Sequence, residues 1–198
     1  MRWKLALDFR THQNLNPFPS YQGGTRVWSL REGATLSRNG VYPLLPTYSS
    51  SFGSGGISAW HDSNRGCPNV PAVGVNLVDV AISLCTASIP GSAAFLEPDA
   101  THSAVVAWTS PFTGIINISE DAVASLGGTC GTGVSYFVDL GTKQLVAVRL
   151  TNNNAASLPP MKQRVATGQS LYFIVDPGPN DNAACDATQL ALTIDELG

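Results

Sequence analysis

The strongest constraint in this chain is a two-residue alternation of apolar side chains, repeated in strand-sized runs that end on Gly, Pro, Asn or Ser. Successive side chains of a strand point to opposite faces, so each run can bury one face against a partner sheet. "VSYFVDL" puts Val134, Tyr136, Val138 and Leu140 on one face; after the turn "GTK", "QLVAVRL" aligns Val146, Val148 and Leu150. Residues 134–150 therefore read as a β-hairpin. The alternation also groups Ala104, Val106 and Trp108 in "SAVVAWTS", then Ile116 and Ile118 in "IINIS". "SLYFIVD" and "QLALTID" repeat it near the end, and the opening "WKLALDF" sets Trp3, Leu5, Leu7 and Phe9 on one face. Only "EDAVASLG" (120–127) suits a helix, of two turns. The pattern predicts an all-β, antiparallel sandwich or barrel. Its expected core holds Val106, Trp108, Ile116, Ile118, Val138, Val148, Phe173, Val175, Leu190 and Leu192.

The region from about 33 to 70 departs from the alternation. It is rich in small and turn-forming residues, with Tyr42, Tyr48, Phe52 and Trp60 scattered through it. It is too aromatic for a linker, and reads as a long loop insertion packed on one end or face of the sandwich. Neither an internal repeat nor an interdomain linker is evident, so residues 1–198 are expected to form a single domain.

Composition narrows the partners. Net charge is −3 and no run of Lys or Arg occurs, which argues against nucleic acid, because phosphate binding needs a clustered basic face. The longest apolar stretch, "VNLVDVAISL" (75–84), is about half of the ~20 residues that span a bilayer, and it contains Asp79. The start "MRWKLALDFR" does not read as a secretory signal, since Asp8 interrupts a short apolar stretch. Cys67, Cys85, Cys130 and Cys185 form no C-x-x-C pair, and the three His do not cluster with them, so zinc is not indicated. Each sits in a loop-like setting. Together with the low charged fraction of 13%, this points to two disulfides, 67–85 and 130–185 preferred, and an oxidising compartment.

No motif for nucleophilic, zinc-hydrolytic, phosphate-loop or dinucleotide chemistry is present. Glu97 and Asp99 are close in "LEPD", but an acid pair in a Pro-containing loop is expected to be solvated rather than catalytic. Asp176, Asp181 and Asp186 in "DPGPNDNAACDAT" supply hard oxygens of the kind calcium takes, or else form an ordinary polar loop. The aromatics of 33–70 are the best ligand-binding candidates. Sugar rings present apolar C–H faces that stack on tryptophan or tyrosine. Trp60, Tyr48 and Tyr42 form the expected platform, with His61, Asp62 and Asn64 as polar rim groups. Trp60 suits the core equally well, whereas Trp28 reads as core. In a strand His61 would point away from both of its neighbours.

Several segments resemble a bacterial extracellular β-sandwich module. They are Val27–Trp28–Ser29, Trp60, Pro71–Val73–Asn76, Val105–Pro111 with Gly114, Thr167–Val175 with Pro177, and Asp186, Thr188, Leu190, Thr193 and Ile194. Ala107 stands where that group usually has arginine. The resemblance implies a jelly-roll-like antiparallel sandwich similar to carbohydrate-binding modules, in a secreted or cell-surface protein, and makes a structural calcium ion reasonable. It carries mainly core and turn residues. Two readings of function follow: a non-catalytic module that binds a polysaccharide or cell-surface glycan, or an assembly subunit of an extracellular fibre, surface layer or particle shell whose partner is its own copies. No constellation reads as catalytic.

Overall fold

The computed structural model describes residues 1–62, 70–127, 133–151, 153–178 and 186–197. In chain order the elements are β1 (Arg2–Lys4), α1 (Leu5–Thr11), β2 (Phe18–Ser20), β3 (Gly23–Ala34), β4 (Thr47–Ser49), β5 (Ile57–His61), β6 (Ala72–Asn76) and β7 (Ile82–Leu84). There follow β8 (Ala87–Ile89), β9 (Ala94–Glu97), β10 (His102–Thr109), β11 (Gly114–Ser125), β12 (Val134–Leu140), β13 (Lys143–Leu150), β14 (Ala155–Val165), β15 (Ser170–Asp176) and β16 (Thr188–Leu197). One sheet runs β14-β11-β16-β9-β6-β5-β4, with β1 also on β16; the other runs β13-β12-β15-β10-β3-β2, and β7-β8 form a separate ribbon. Every pairing among them is antiparallel. The chain is an antiparallel β-sandwich.

The main core lies between the two sheets. Trp3, Trp28, Trp108, Tyr136 and Phe173 are fully buried in it with Val106, Ile116, Ile118, Val138, Val175, Leu190 and Leu192. Of the expected core, Val148 alone is half-buried, because β13 is the sheet's edge. Two satellite clusters cover the outer faces. Phe52, Leu84, Ala87 and Ile89 pack with Ile57, Ala59 and Phe95 on the larger sheet; Tyr42 packs with Val105 and Ile174 on the smaller one. Gly74 makes the first possible, since a Cβ there would lie 2.4 Å from the Phe95 ring.

The hairpin of 134–150 is present, paired from Val134↔Leu150 to Leu140↔Lys143 around Gly141 at φ 62°. The strand–turn–strand of 102–119 is also present, but its strands belong to opposite sheets: β10 lies in the smaller and β11 in the larger. Three expectations fail. The opening alternation breaks after Lys4 into α1, which buries Leu5, Asp8 and Phe9 at helical spacing and exposes Leu7. Residues 120–125 lie in β11 rather than a helix; a register shift between Glu120 and Ala122 disturbs the period-two pattern there. The 33–70 region is not loop throughout: between its turns it supplies β4 and β5 to the larger sheet. Cys85 is disulfide-bonded; Cys67, Cys130 and Cys185 lie outside the described residues, and with them the preferred pairing. Among the described residues no helix is long and apolar enough to cross a membrane.

Asp8 organises the N-terminal quarter. It is fully buried, and its carboxylate accepts hydrogen bonds from Trp28 Nε1 at 2.7 Å, Tyr21 N at 2.7 Å and Lys4 N at 3.1 Å. Asp8→Ala leaves three donors without their acceptor, the buried indole N–H of Trp28 among them, and is expected to cost on the order of 3 kcal/mol in chemical denaturation. Asp8→Asn, which keeps one accepting oxygen, should cost less.

Other acids are buried with poorer compensation. Burial raises Glu120 to about 7, opposed by the hydrogen bond it accepts from Tyr136 Oη at 2.9 Å. Burial and the charge of Asp186 raise Glu97 to about 8; burial raises Asp186 to about 7 against the pull of Arg149. Glu97 and Asp99 are thus not solvated: both are buried, and Asp99 accepts the N–H groups of Thr101 and His102 at 2.6 and 2.7 Å. Glu97, Glu120 and Asp186 bind protons more tightly folded than unfolded. Their favourable contribution is complete below the unfolded carboxyl values and is lost as pH rises through about 7 to 8. The melting temperature should therefore fall between pH 5.5 and 8.5, and Glu97→Gln should flatten that fall in scanning calorimetry.

Candidate functional site

The sheet edge at β4–β5 gathers the exposed part of the aromatic set. Tyr48 pairs with Trp60 across the two strands, so both side chains project from one face. Their ring centroids lie 5.6 Å apart with planes tilted by 43°, and both residues are half-buried. On β5 the side chains divide cleanly. Trp60 packs against the main core, while Ile57 and Ala59 face the satellite cluster on the outside of the sheet.

Gln13, in the link from α1 to β2, fastens the pair. Its backbone carbonyl accepts Trp60 Nε1 at 3.0 Å. Its side-chain Oε1 accepts Tyr48 Oη at 3.2 Å and a short hydrogen bond from Ser58 Oγ. Ser58 is fully buried, so its hydroxyl needs this acceptor. The polar atoms of both rings are thus engaged within the chain, and what remains for a ligand is ring surface. Gln13 was missed in the sequence. It lies far from the 33–70 aromatics along the chain, and only the turn of α1 brings it over β4 and β5.

The remaining sequence candidates are distributed elsewhere. Tyr42 is not part of the platform. It is buried on the outer face of the smaller sheet, 4.9 Å from the Tyr172 ring, over Gly33, where a Cβ would meet it at 2.6 Å. That burial pushes its hydroxyl up to about 12. His61 is no rim group either: it points away from Trp60, is buried, and stacks 5.1 Å from Phe52 with Nδ1 2.8 Å from the Asp62 carbonyl. Asp62 follows β5 and donates its backbone N–H to Pro71 O at 3.1 Å. Asn64 lies outside the described residues.

The proposed calcium ligands do not assemble from what is described. Asp176 accepts Leu36 N at 2.9 Å, Ser103 Oγ at 2.8 Å and Gly178 N at 2.9 Å, so both of its oxygens serve the fold. Asp186 is fully buried with neither oxygen partnered, and Asp181 lies outside the described residues. Among the described residues no group of three or more His, Cys, Asp or Glu side chains is placed to hold a metal ion.

No protein-family model and no curated protein matches the sequence. Among solved structures the chain is similar to the CBM51 from Clostridium perfringens GH95, solved in complex with methyl-galactose, at 10% identity and a TM-score of 0.40. That likeness covers 76% of this chain and 94% of the other. A family 35 carbohydrate binding module from Clostridium thermocellum is similar at 7% identity and a TM-score of 0.33, over 72% of this chain and 89% of that one. The M60 catalytic domain with the CBM51-1 and CBM51-2 domains from Clostridium perfringens ZmpB gives 10% identity and a TM-score of 0.40 over 85% of this chain, which matches only 20% of that one. At such identities and scores, what this chain binds must be argued from its own side chains.

Proposed function

We propose that this chain is a non-catalytic, extracellular module that binds a polysaccharide or cell-surface glycan through Tyr48 and Trp60. The observation that carries the reading is the tilted pair itself: two half-buried rings on adjacent strands, each held through its polar atom by Gln13. An aromatic side chain kept partly exposed, with its polar atom already satisfied, offers an apolar face and little else. A pyranose ring, apolar on its C–H faces and polar at its rim, complements that surface. A strand pair is also a stiffer support than a loop, which lowers the ordering cost of binding.

The acids speak against catalysis. Glu97, Glu120 and Asp186, the carboxyl groups that burial brings nearest to neutrality, are shut inside the fold, where a polymer cannot reach them. The charge-poor composition and the segments that resemble secreted β-sandwich modules agree with this reading.

The test is electrophoresis in native gels that contain hydroxyethylcellulose, xylan or galactomannan. The protein should be retarded in at least one of them. Trp60→Ala should weaken that retardation by about tenfold or more, the loss of one stacking surface. Its melting temperature should drop by only a few degrees, because the ring is half-buried. If no gel retards the wild type while sedimentation finds concentration-dependent assembly, the glycan reading gives way to an assembly subunit.

A further inference from the structure

We infer that Gln13 is the hydrogen-bond donor of this site as well as its clamp, and that the ligand is an uncharged, pyranose-based glycan. The inference rests on the reading of Tyr48 and Trp60 as a sugar platform. A primary amide has one accepting oxygen and two N–H donors. At Gln13 the oxygen is filled by the Tyr48 and Ser58 hydroxyls, and the backbone carbonyl is taken by Trp60 Nε1. The side-chain nitrogen makes no hydrogen bond to the described residues, and Gln13 is half-exposed. A clamp that engaged both ends of the amide would have nothing left for a ligand. This one keeps its donor end, on the residue that holds both rings by their polar atoms.

The same inventory bears on ligand charge. Gln13, Tyr48, Ser58 and Trp60 carry no charge, nor do Thr47 and Ser49, the other residues of β4. The nearest titratable residue along the chain from Gln13, His12, has Nδ1 3.3 Å from the carbonyl of Asp8. A carboxylate or sulfate brought against the rings would lose water without gaining a cation from Gln13, Ser58, Trp60 or the residues of β4. A neutral sugar loses far less. One amide donor then meets a hydroxyl, ring or glycosidic oxygen at the rim while the ring C–H face lies on the indole.

Gln13→Glu separates clamp from donor. The variant keeps an accepting oxygen for Tyr48 and Ser58 but replaces the amide nitrogen by a second oxygen. At pH 7 that group has no hydrogen to give; protonated, it regains one. In whichever of the hydroxyethylcellulose, xylan and galactomannan gels retards the wild type, Gln13→Glu should bind about tenfold more weakly at pH 7, the worth of one hydrogen bond. At pH 4 it should recover towards wild type, whose own binding should change little between the two. Gln13→Ala, which loses clamp and donor, should show the loss at both pH values. Wild-type protein should be retarded less by polygalacturonate than by the best neutral polymer. Wild-type affinity in Gln13→Glu at pH 7 overturns the donor role, and stronger retardation by polygalacturonate overturns the neutral ligand. Both outcomes differ from failure of the platform itself, in which Trp60→Ala would bind as well as wild type. If Gln13→Glu does not fold, the comparison of neutral and acidic polymers on the wild type still decides the ligand class.

Discussion

The hydrogen bonds that converge on Asp8 hold together everything that distinguishes this sandwich from a bare pair of sheets. A carboxylate buried without donors would be strongly destabilising. Here it is surrounded by the indole N–H of Trp28 and two backbone N–H groups, and so becomes a fixed joint. It ties the first turn of α1 to β3 and to the residues that follow β2. α1 is held between β2 of the smaller sheet and β6, β9 and β16 of the larger, and the link that follows it brings Gln13 to the aromatic pair. Burial pushes the Asp8 carboxyl up, and the three donors pull it back. The joint therefore has opposing contributions of similar kind, and its rigidity comes from the donors.

Much of the fold was legible because period two is a strong signal wherever one face is buried. The hairpin of β12 and β13, the inward faces of β10 and β15, and the burial of Trp108 follow from alternation alone. Legibility stopped where a second layer covers the outer face. β5 and β6 are buried on both sides, so His61 is interior, and Tyr42 is buried by covering Val105 and Ile174 on the outer face of the smaller sheet, although composition places both residues at a surface. The acids show the same limit. Glu97 looked like a solvated loop residue and is a buried strand end, because Ala72 of β6 pairs with it on one side and no sequence pattern announces that neighbour. At the other end of the chain α1 imitates a strand: Trp3 and Leu5 are in phase with an alternation that the helix then abandons.

The candidate site was half legible. Trp60 was recognised as a residue that could serve either core or surface, and it does some of each, with its ring against the main core and part of its area open. Tyr48 follows from the pairing of β4 with β5, which no local signal revealed, since β4 is only three residues long. Gln13 could not be found by any local rule. A glutamine between a short helix and a cis Asn16–Pro17 bond carries no signature, and its importance comes entirely from three hydrogen bonds to residues 35 to 47 positions away.

The tryptophans show how the core and the surface are coupled. Trp3, Trp28 and Trp108 are fully buried, whereas Trp60 is not. Two of the four satisfy their indole N–H within one short stretch of chain: Trp28 on the carboxylate of Asp8, and Trp60 on the carbonyl of Gln13. Residues 8 to 13 therefore bridge a tryptophan buried in the sandwich and one that is only half-buried at its edge. A ring fixed only by apolar packing can slide or tilt, because dispersion contacts have little directionality. A ring whose N–H is hydrogen-bonded to a helix-anchored carbonyl has its plane set. In the platform proposed for Tyr48 and Trp60, the plane of the indole is set by the same segment that closes the core.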